Sequence, residues 1–305
     1  MTCINVSNQR DSEGQRDRSA VRLTVIIPCF NAADTIADQL DALTRQQWSE
    51  RWEVLLVDNR STDESREVVE GFKARLPNLR IVDASERQGT PYAVNTGVKE
   101  AKGEHILICD ADDEVATGWL SAMGDALSAH EFIACKFETR KLNPPWLQGH
   151  EQERGLQTIW YPPWLTHAGG GTFGFRKRMF QRVGGFDESL PHLNDTDFCF
   201  RAQMMGYQLH FVPEAAVHVR KRHNLRGHYL QSRNYAEYNV VLAKRYWDGS
   251  GSAASYRRKF LRDWVHLIRK IRKLSSQRGR FWWIWLLGRQ VGRTRGILFQ
   301  RGIPV

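Results

Sequence analysis

Leu23-Thr24-Val25-Ile26-Ile27-Pro28 is a nearly unbroken apolar, β-branched run stopped by a proline. A run without polar alternation is the pattern of a strand buried on both faces, as in a parallel sheet covered by helices. Ile36, Leu40 and Leu43 follow at helical spacing, and Val54-Leu55-Leu56-Val57 forms a second buried strand ending at Asp58. Ser61-Thr62-Asp63-Glu64 has the form of a capping box, ahead of a helix whose apolar face is Val68, Val69, Phe72 and Leu76. Leu79 to Val82 is a third strand, and Ala93, Val94 and Val98 mark a helix closed before Gly103. His105-Ile106-Leu107-Ile108-Cys109 is a fourth strand, ending in Asp110. Strands alternating with helices specify an α/β fold with a parallel sheet.

Ligands of such sheets bind at the carboxyl ends of the strands. Polar residues stand there: Asn31 after the first strand, Asp58 and Asn59 after the second, Asp110 to Asp113 after the fourth. Taken singly, each suits a helix cap or a turn. Together they occupy one edge of one sheet, which points to a ligand site. Asp110-Ala111-Asp112-Asp113 is the densest cluster. Two carboxylates ~5 Å apart repel by roughly 3 kcal/mol at an effective dielectric near 20. A hard divalent cation, Mg²⁺ or Mn²⁺, would compensate them and bridge to a substrate diphosphate.

The second half changes character. After Phe132 to Lys136 comes a stretch with Pro144, Pro145, Trp146, Trp160, Pro162, Pro163 and Trp164, read as an ordered surface loop because tryptophans need a surface to pack on. Gly169-Gly170-Gly171 precedes a strand over Thr172 to Phe175. Lys177 to Val183 and Asp195 to Met205 read as helices closed by glycine, and Leu209 to Val212 as a last strand.

The ordered set Val25-Ile26-Ile27-Pro28-Cys29-Phe30-Asn31, Val57-Asp58-Asn59-Arg60-Ser61-Thr62-Asp63, Asn95-Thr96-Gly97, Gly103-Glu104 and Asp110-Ala111-Asp112-Asp113 resembles glycosyltransferase family 2. Thr172 to Arg176, Val183 to Glu188, Asn194 to Phe198 and Gly206-Tyr207 continue the resemblance, which covers roughly Leu23 to Arg222. It implies a GT-A fold: a Rossmann-like, mixed, mostly parallel sheet flanked by helices. It also implies inverting transfer of a sugar from a nucleotide-diphosphate donor to a hydroxyl of a saccharide, lipid-linked or other acceptor, in cell-surface polysaccharide or glycolipid synthesis. By the same resemblance Pro28, Phe30, Asn31, Asp58, Asn59, Asn95, Asp110 and Ala111 would hold the donor, with Asp58 and Asn59 facing the base or ribose. Family members often carry Asp where this chain has Asn59. Asp112 and Asp110 would ligate a divalent metal, joined by His218, for which a half-buried place in an edge strand is an even alternative. Asp195 matches the general base, although the acidic residue usually before it is Asn194 here; the rival role for Asp195 is a helix cap.

Composition limits the partners. The chain has 305 residues with ordinary globular composition and a net charge of +10. Residues 246–305 hold 14 Lys/Arg against 2 Asp/Glu, so the rest carries 30 against 32. The basic excess sits wholly in the tail, which argues against a chain-wide nucleic-acid surface. The five cysteines form no CxxC pair and read as reduced thiols of a cytoplasmic protein. Residues 1–20 lack the apolar core of a signal peptide and read as a flexible lead-in, leaving a catalytic domain over 21–245 and an extension over 246–305. In that extension, Phe260, Trp264, Leu267, Ile268, Ile271 and Leu274 fall on one face of a basic amphipathic helix over Tyr256 to Ser275, followed by Phe281 to Leu287. Packing on the body is one reading. An anionic membrane surface on the cytoplasmic side is the favoured one. Two rival functions stand beside transfer. A sugar nucleotidyltransferase would need a basic, Gly-rich loop after the first strand, where Cys29-Phe30-Asn31-Ala32-Ala33 stands. An inactive scaffold would have lost Asp112 or Asp195, and both are present. The sequence leaves the oligomeric state open.

Overall fold

The computed structural model describes residues 19–148, 156–158, 164–249 and 253–299. The lead-in up to residue 18, Cys3, Trp160, Pro162 and Pro163 lie outside the described residues. The chain opens with β1 (Leu23–Cys29), α1 (Ile36–Thr44), β2 (Trp52–Asp58), α2 (Ser65–Phe72), β3 (Leu79–Asp83), α3 (Thr90–Glu100) and β4 (His105–Ile108). These are the strands and helices the apolar pattern predicts. β5 (Glu114–Val115), α4 (Trp119–Ala129), β6 (Phe132–Glu138), β7 (Gln157–Thr158) and β8 (Thr166–His167) follow. Next come β9 (Phe173–Arg176), α5 (Lys177–Val183), α6 (Asn194–Met204) and β10 (His210–His218).

Eight strands form one sheet in the order β3-β2-β1-β4-β9-β6-β10-β5, and β7 pairs with β8 apart from it. β1, β2, β3 and β4 run parallel, whereas β9 is antiparallel to both β4 and β6, so the sheet is mixed but mostly parallel. Both faces are covered. Val25 and Ile27 face a core with Ile36, Leu40, Trp119 and Met123; Ile26 faces one with Val57, Val94, Phe173, Phe175 and Phe198. That is why β1 is nearly all apolar: its residues 23–27 are each 0% exposed, and the one polar member, Thr24, donates to Glu53 at 2.9 Å. Truncating one of them, as in Ile26→Ala, would cost about 2–5 kcal/mol.

The helix α2 does not start on a capping box. Its Asp63 accepts from the Ser65 N–H at 3.1 Å, while Ser61 Oγ accepts from the Asn31 N–H at 3.1 Å. The capping-type residues after β2 are used to stitch two loops together instead.

Beyond the sheet lie α7 (Leu225–Tyr246), α8 (Ala253–Arg269), a 3-10 turn over Ile271–Ser275, and α9 (Gln277–Phe299). The amphipathic helix expected over Tyr256 to Ser275 therefore breaks after Arg269. α9 lies against α7 through Gly288, Gly292 and Gly296, spaced four apart. A Cβ on Gly292 would fall 2.0 Å from the Arg233 carbonyl oxygen, and one on Gly288 2.6 Å from that of Tyr229, so only glycine allows this approach. Phe281 is buried against Trp146 at 4.6 Å between ring centroids, and the Trp285 carbonyl accepts from Ser232 Oγ at 2.7 Å. The part of the tail read as lipid-facing tryptophan cluster is thus largely a packed element. No helix among the described residues is long and apolar enough to cross a membrane.

Candidate active site

The loops after β1, β2 and β4 meet at the carboxyl edge of the sheet. After β1 the chain turns at Asn31 (φ +50°), leaving Phe30 49% exposed. Asn31 Oδ1 accepts from the Thr62 N–H at 2.8 Å, Ala32 N–H donates to Ser65 Oγ at 2.8 Å and Ala33 N–H to Asp63 at 3.0 Å. Asp58, buried at the end of β2, accepts from the Ser61 N–H at 3.2 Å and pairs with Arg66 at 3.1 Å. Pro28 is half-buried in β1.

Two residues expected to touch the donor are engaged by the protein instead. Asn59 donates to the carbonyls of Ala84 (2.6 Å) and Arg87 (2.7 Å) and accepts from the Gly89 N–H (2.7 Å). Its side chain, 4% exposed, holds the loop from β3 to α3. Asn95 likewise clamps a turn: it accepts from the Phe186 N–H at 2.9 Å and donates to the Phe186 carbonyl and to Glu188, each at 3.0 Å. Both hold backbone beside the carboxyl edge of the sheet.

The carboxylates after β4 behave differently. Oxygens of Asp110, Asp112 and Asp113 lie within 4.8 Å of one another. Gln39 donates to the Asp110 carbonyl at 3.1 Å, and Thr35 Oγ1 to that of Ala111 at 3.2 Å, so α1 fixes the backbone of this turn. Burial, together with the charges of Asp112 and Asp195, pushes the Asp110 carboxyl up to about 7. Burial and the charges of Asp110 and Asp112 raise Asp113 well above the usual range, against the 2.8 Å hydrogen bond that its Oδ1 accepts from the Arg220 N–H. Arg222, 3.6 Å from Asp112, is a nearby exposed cation.

Asp195 comes to the same place from the other side. It stands inside the first turn of α6, not at its cap, which is Leu193 in left-handed conformation (φ +56°). Its carboxyl is raised by burial, opposed by hydrogen bonds from Thr196 and the Gly170 backbone. The turn Gly170–Thr172 lies between the two acids. A Cβ on Gly171 would fall 2.9 Å from Asp110 Oδ2, and one on Gly170 would fall 3.6 Å from Asp195 Oδ2. A side chain at Gly171 would fill the space in front of Asp110.

Behind Asp195, fully buried Asp197 accepts from Arg201 Nε at 2.8 Å, from Arg245 at 2.7 Å and from Tyr246 Oη at 2.6 Å. This ties α6 to the end of α7. Along α7, Tyr235 is 38% exposed as a residue, but desolvation of its hydroxyl end and the charges of Asp195 and Asp110 raise its phenol. Neither Tyr235 nor Arg220 belongs to a motif, and only the long-range packing of α7 and β10 brings them here. His218 is turned toward Glu138, with Nδ1 2.7 Å from its carboxylate, and the triad of acidic oxygens does not include it. The four described cysteines, Cys29, Cys109, Cys135 and Cys199, are buried free thiols.

Three acids with oxygens this close, Asp110 and Asp113 among them raised by burial and by neighbouring charge, are a donor set suited to a hard divalent cation. The residues present therefore fit a metal held by Asp110 and Asp112.

The fold is shared with solved glycosyltransferases. A mannosyltransferase from Pyrobaculum calidifontis, solved with GDP-Man and Mn²⁺, superposes with a TM-score of 0.63 at 21% identity, over 91% of this chain and 87% of that one. Residues 1–349 of TarS from S. aureus, solved with UDP-GlcNAc, give 0.54 at 16% identity, over 90% and 91%. Among curated relatives, the uncharacterized glycosyltransferase EpsJ of Bacillus subtilis is 26% identical over 66% of this chain and 62% of its own length. A poly(ribitol-phosphate) beta-glucosyltransferase of Bacillus spizizenii is 33% identical over 32% of this chain, but only 16% of that protein is covered. The chain thus spans less than two thirds of these relatives. The sequence model described as "Glycosyl transferase family group 2" matches residues 163–293, across the boundary expected at 245. The one described as "Glycosyl transferase family 2" matches residues 24–184, more than half of the chain, and with the mixed sheet and its carboxylate edge this places the chain in glycosyltransferase family 2, with the GT-A fold.

Proposed function

We propose that the chain transfers a sugar, with inversion, from a nucleotide-diphosphate donor to an acceptor hydroxyl, and that the transfer needs a divalent metal. The observation that carries this reading is the placing of Asp110 and Asp195 against the same side-chain-free turn at Gly170–Gly171. A metal bound by Asp110 and Asp112 would supply Lewis-acid stabilisation of the departing diphosphate. The exposed ring of Phe30 and the loop at Asn31 lie on the nucleotide side, with Asp58 at the end of β2. Asp195 accepts the proton of the acceptor hydroxyl at its carboxylate, of which Oδ1 is oriented by the Thr196 N–H at 2.7 Å. A carboxyl raised by burial is a stronger base when ionised, as the task requires. Gly170 and Gly171 leave room for the sugar between base and metal ligands. His218, held by Glu138, is left out of the metal site in this reading.

The relatives named for poly(ribitol-phosphate) substrates, and the neighbours solved with UDP-GlcNAc and GDP-Man, support a sugar-nucleotide donor and an acceptor in cell-surface polysaccharide or glycolipid synthesis. The test is a donor-hydrolysis and transfer screen across UDP-, GDP- and dTDP-sugars with Mn²⁺, Mg²⁺ or chelator. Turnover of one donor only with metal, and loss of Mn²⁺-dependent donor binding in Asp112→Ala, is the expected result. Metal-independent turnover, or a product that keeps the donor's anomeric configuration, would overturn the proposal.

A further inference from the structure

The apolar residues of α8 divide into two rows, and the face expected from the sequence is split between them: Phe260, Trp264 and Leu267 belong to one, Ile268 to the other. Phe260, Trp264 and Leu267 turn inward or partly inward: Trp283 Nε1 donates to the Leu267 carbonyl at 3.0 Å, and the Arg293 guanidinium lies over the Phe260 ring at 5.1 Å. Leu261 (63% exposed), Val265 (46%) and Ile268 (68%) form a neighbouring row about a quarter turn round the helix, at spacings of four and three residues. Ile271, 55% exposed in the 3-10 turn, and Trp282, 37% exposed at the start of α9, extend this row. Outward-facing aliphatics in succession have no place on a helix surrounded by water.

Cations surround them. Between Arg257 and Arg280 stand ten Lys/Arg and one acid, Asp263, and that acid is engaged by Arg293 at 2.9 Å. Arg257, Arg262, Arg269, Lys270, Arg272 and Lys273 are all exposed. We infer that this face docks on an anionic phospholipid surface, with Leu261, Val265 and Ile268 entering the headgroup boundary and the flanking arginines and lysines on lipid phosphates. The charge selects the occupant. A second copy would bring the same positive face and be repelled. A nucleic acid would satisfy the cations but leave the aliphatic row in water, whereas an anionic leaflet satisfies both. The inference is independent of the reaction assigned to the carboxylate site.

Because α9 is packed on α7 through glycines, removing the tail would strip α7 of its cover, and point variants of the full chain are the sound test. Full-length protein is sedimented with vesicles of phosphatidylcholine alone or with about one third phosphatidylglycerol, at low and physiological salt. The expected result is binding to the anionic vesicles only, weakened by salt because the Debye length shrinks to ~8 Å. The triple variant L261S/V265S/I268S should lose about tenfold or more in vesicle affinity, on the scale set by three withdrawn aliphatic side chains, with its melting temperature kept. R262E/R269E/K273E should lose the preference for anionic lipid. Equal binding by the serine variant, equal binding to neutral vesicles, or tight binding of duplex DNA or RNA at physiological salt without vesicle binding would overturn the assignment.

Discussion

Around β1 and β2 the polar side chains are engaged by the protein itself. Asn59 has both its amide groups on loop backbone, Asn95 clamps Phe186, and Asp58 has Ser61 and Arg66. Around β4 and α6 the acids instead press on one another: Asp110 is pushed up to about 7 by burial and by Asp112 and Asp195, and Asp113 is raised as well. The two regions look alike in sequence, since both place Asn and Asp after a buried strand. What separates them is whether the fold supplies the partner. Where it does, the residue is architecture; where it leaves like charges together, a proton or a bound cation makes the arrangement favourable.

The sharpest break in this comparison is Asp195→Asn. The substitution is nearly isosteric and keeps an oxygen for the Thr196 N–H, so the fold should stand. Transfer should fall by roughly two or more orders of magnitude with donor affinity kept, the signature of a lost general base. Steady-state kinetics with a donor-binding titration check it; a loss of stability with transfer intact would make Asp195 architecture like Asn59.

Gly171→Ala should come next. The added Cβ would sit 2.9 Å from Asp110 Oδ2 and 3.0 Å from Asp110 N, and only the carboxylate can yield. Moving a metal ligand should cost roughly tenfold or more in kcat/KM, by the sensitivity of catalysis to misplacement. Gly170→Ala, with 3.6 Å to spare from Asp195, is the milder control. Equal effects of the two would show that the turn, not the space before Asp110, is what matters.

Asn59→Asp reaches the other region with a smaller effect. An aspartate keeps the bond from the Gly89 N–H but turns an oxygen toward the carbonyls of Ala84 and Arg87. The loss of two buried hydrogen bonds should cost about 1–3 kcal/mol, read by denaturant unfolding, with donor KM changed little. A large change in KM at unchanged stability would return Asn59 to the base.

The difference between these residues explains how far the sequence could be read. β1 to β4 and their helices were legible because strands buried on both faces leave continuous apolar runs, as in Leu23 to Ile27. α4 and the antiparallel place of β9 between β4 and β6 were not, since sheet order depends on contacts remote in sequence. The carboxylate cluster was legible as adjacent residues with no local use for their charge. The loop contacts of Asn59 and Asn95 were not legible because a motif gives residue types and not hydrogen-bond partners. Tyr235, and the partners Arg245 and Tyr246 of Asp197, were not legible because they lie on α7, a helix without a motif. In the tail, the 3.6-residue period identified α8 as amphipathic, but contacts from α9, such as Trp283 to the Leu267 carbonyl and Arg293 over Phe260, cover only part of that face and leave Ile268 outside.

The last comparison is one of pH. The Asp110 carboxyl sits at about 7 in the folded chain without metal, against 3.8 as its ordinary value. A group raised on folding contributes stability that is present below the ordinary value and is lost as pH rises through the raised one. In chelator at pH 8, wild type therefore carries a buried, repelled charge that Asp110→Asn lacks, and the variant should melt higher. At pH 4 to 5 both side chains are neutral in the folded state, and the gap should nearly close. For a chain of this size each kcal/mol corresponds to about 2–4 °C, so a few degrees are expected at pH 8. Mn²⁺ should reverse the order, raising the melting temperature of wild type and leaving the variant nearly unchanged. Asn59→Asp should instead melt lower than wild type with metal or without. If Asp110→Asn also melts lower in chelator at pH 8, then Asp110 is held by the fold after all, and the contrast between the two regions fails at its central residue.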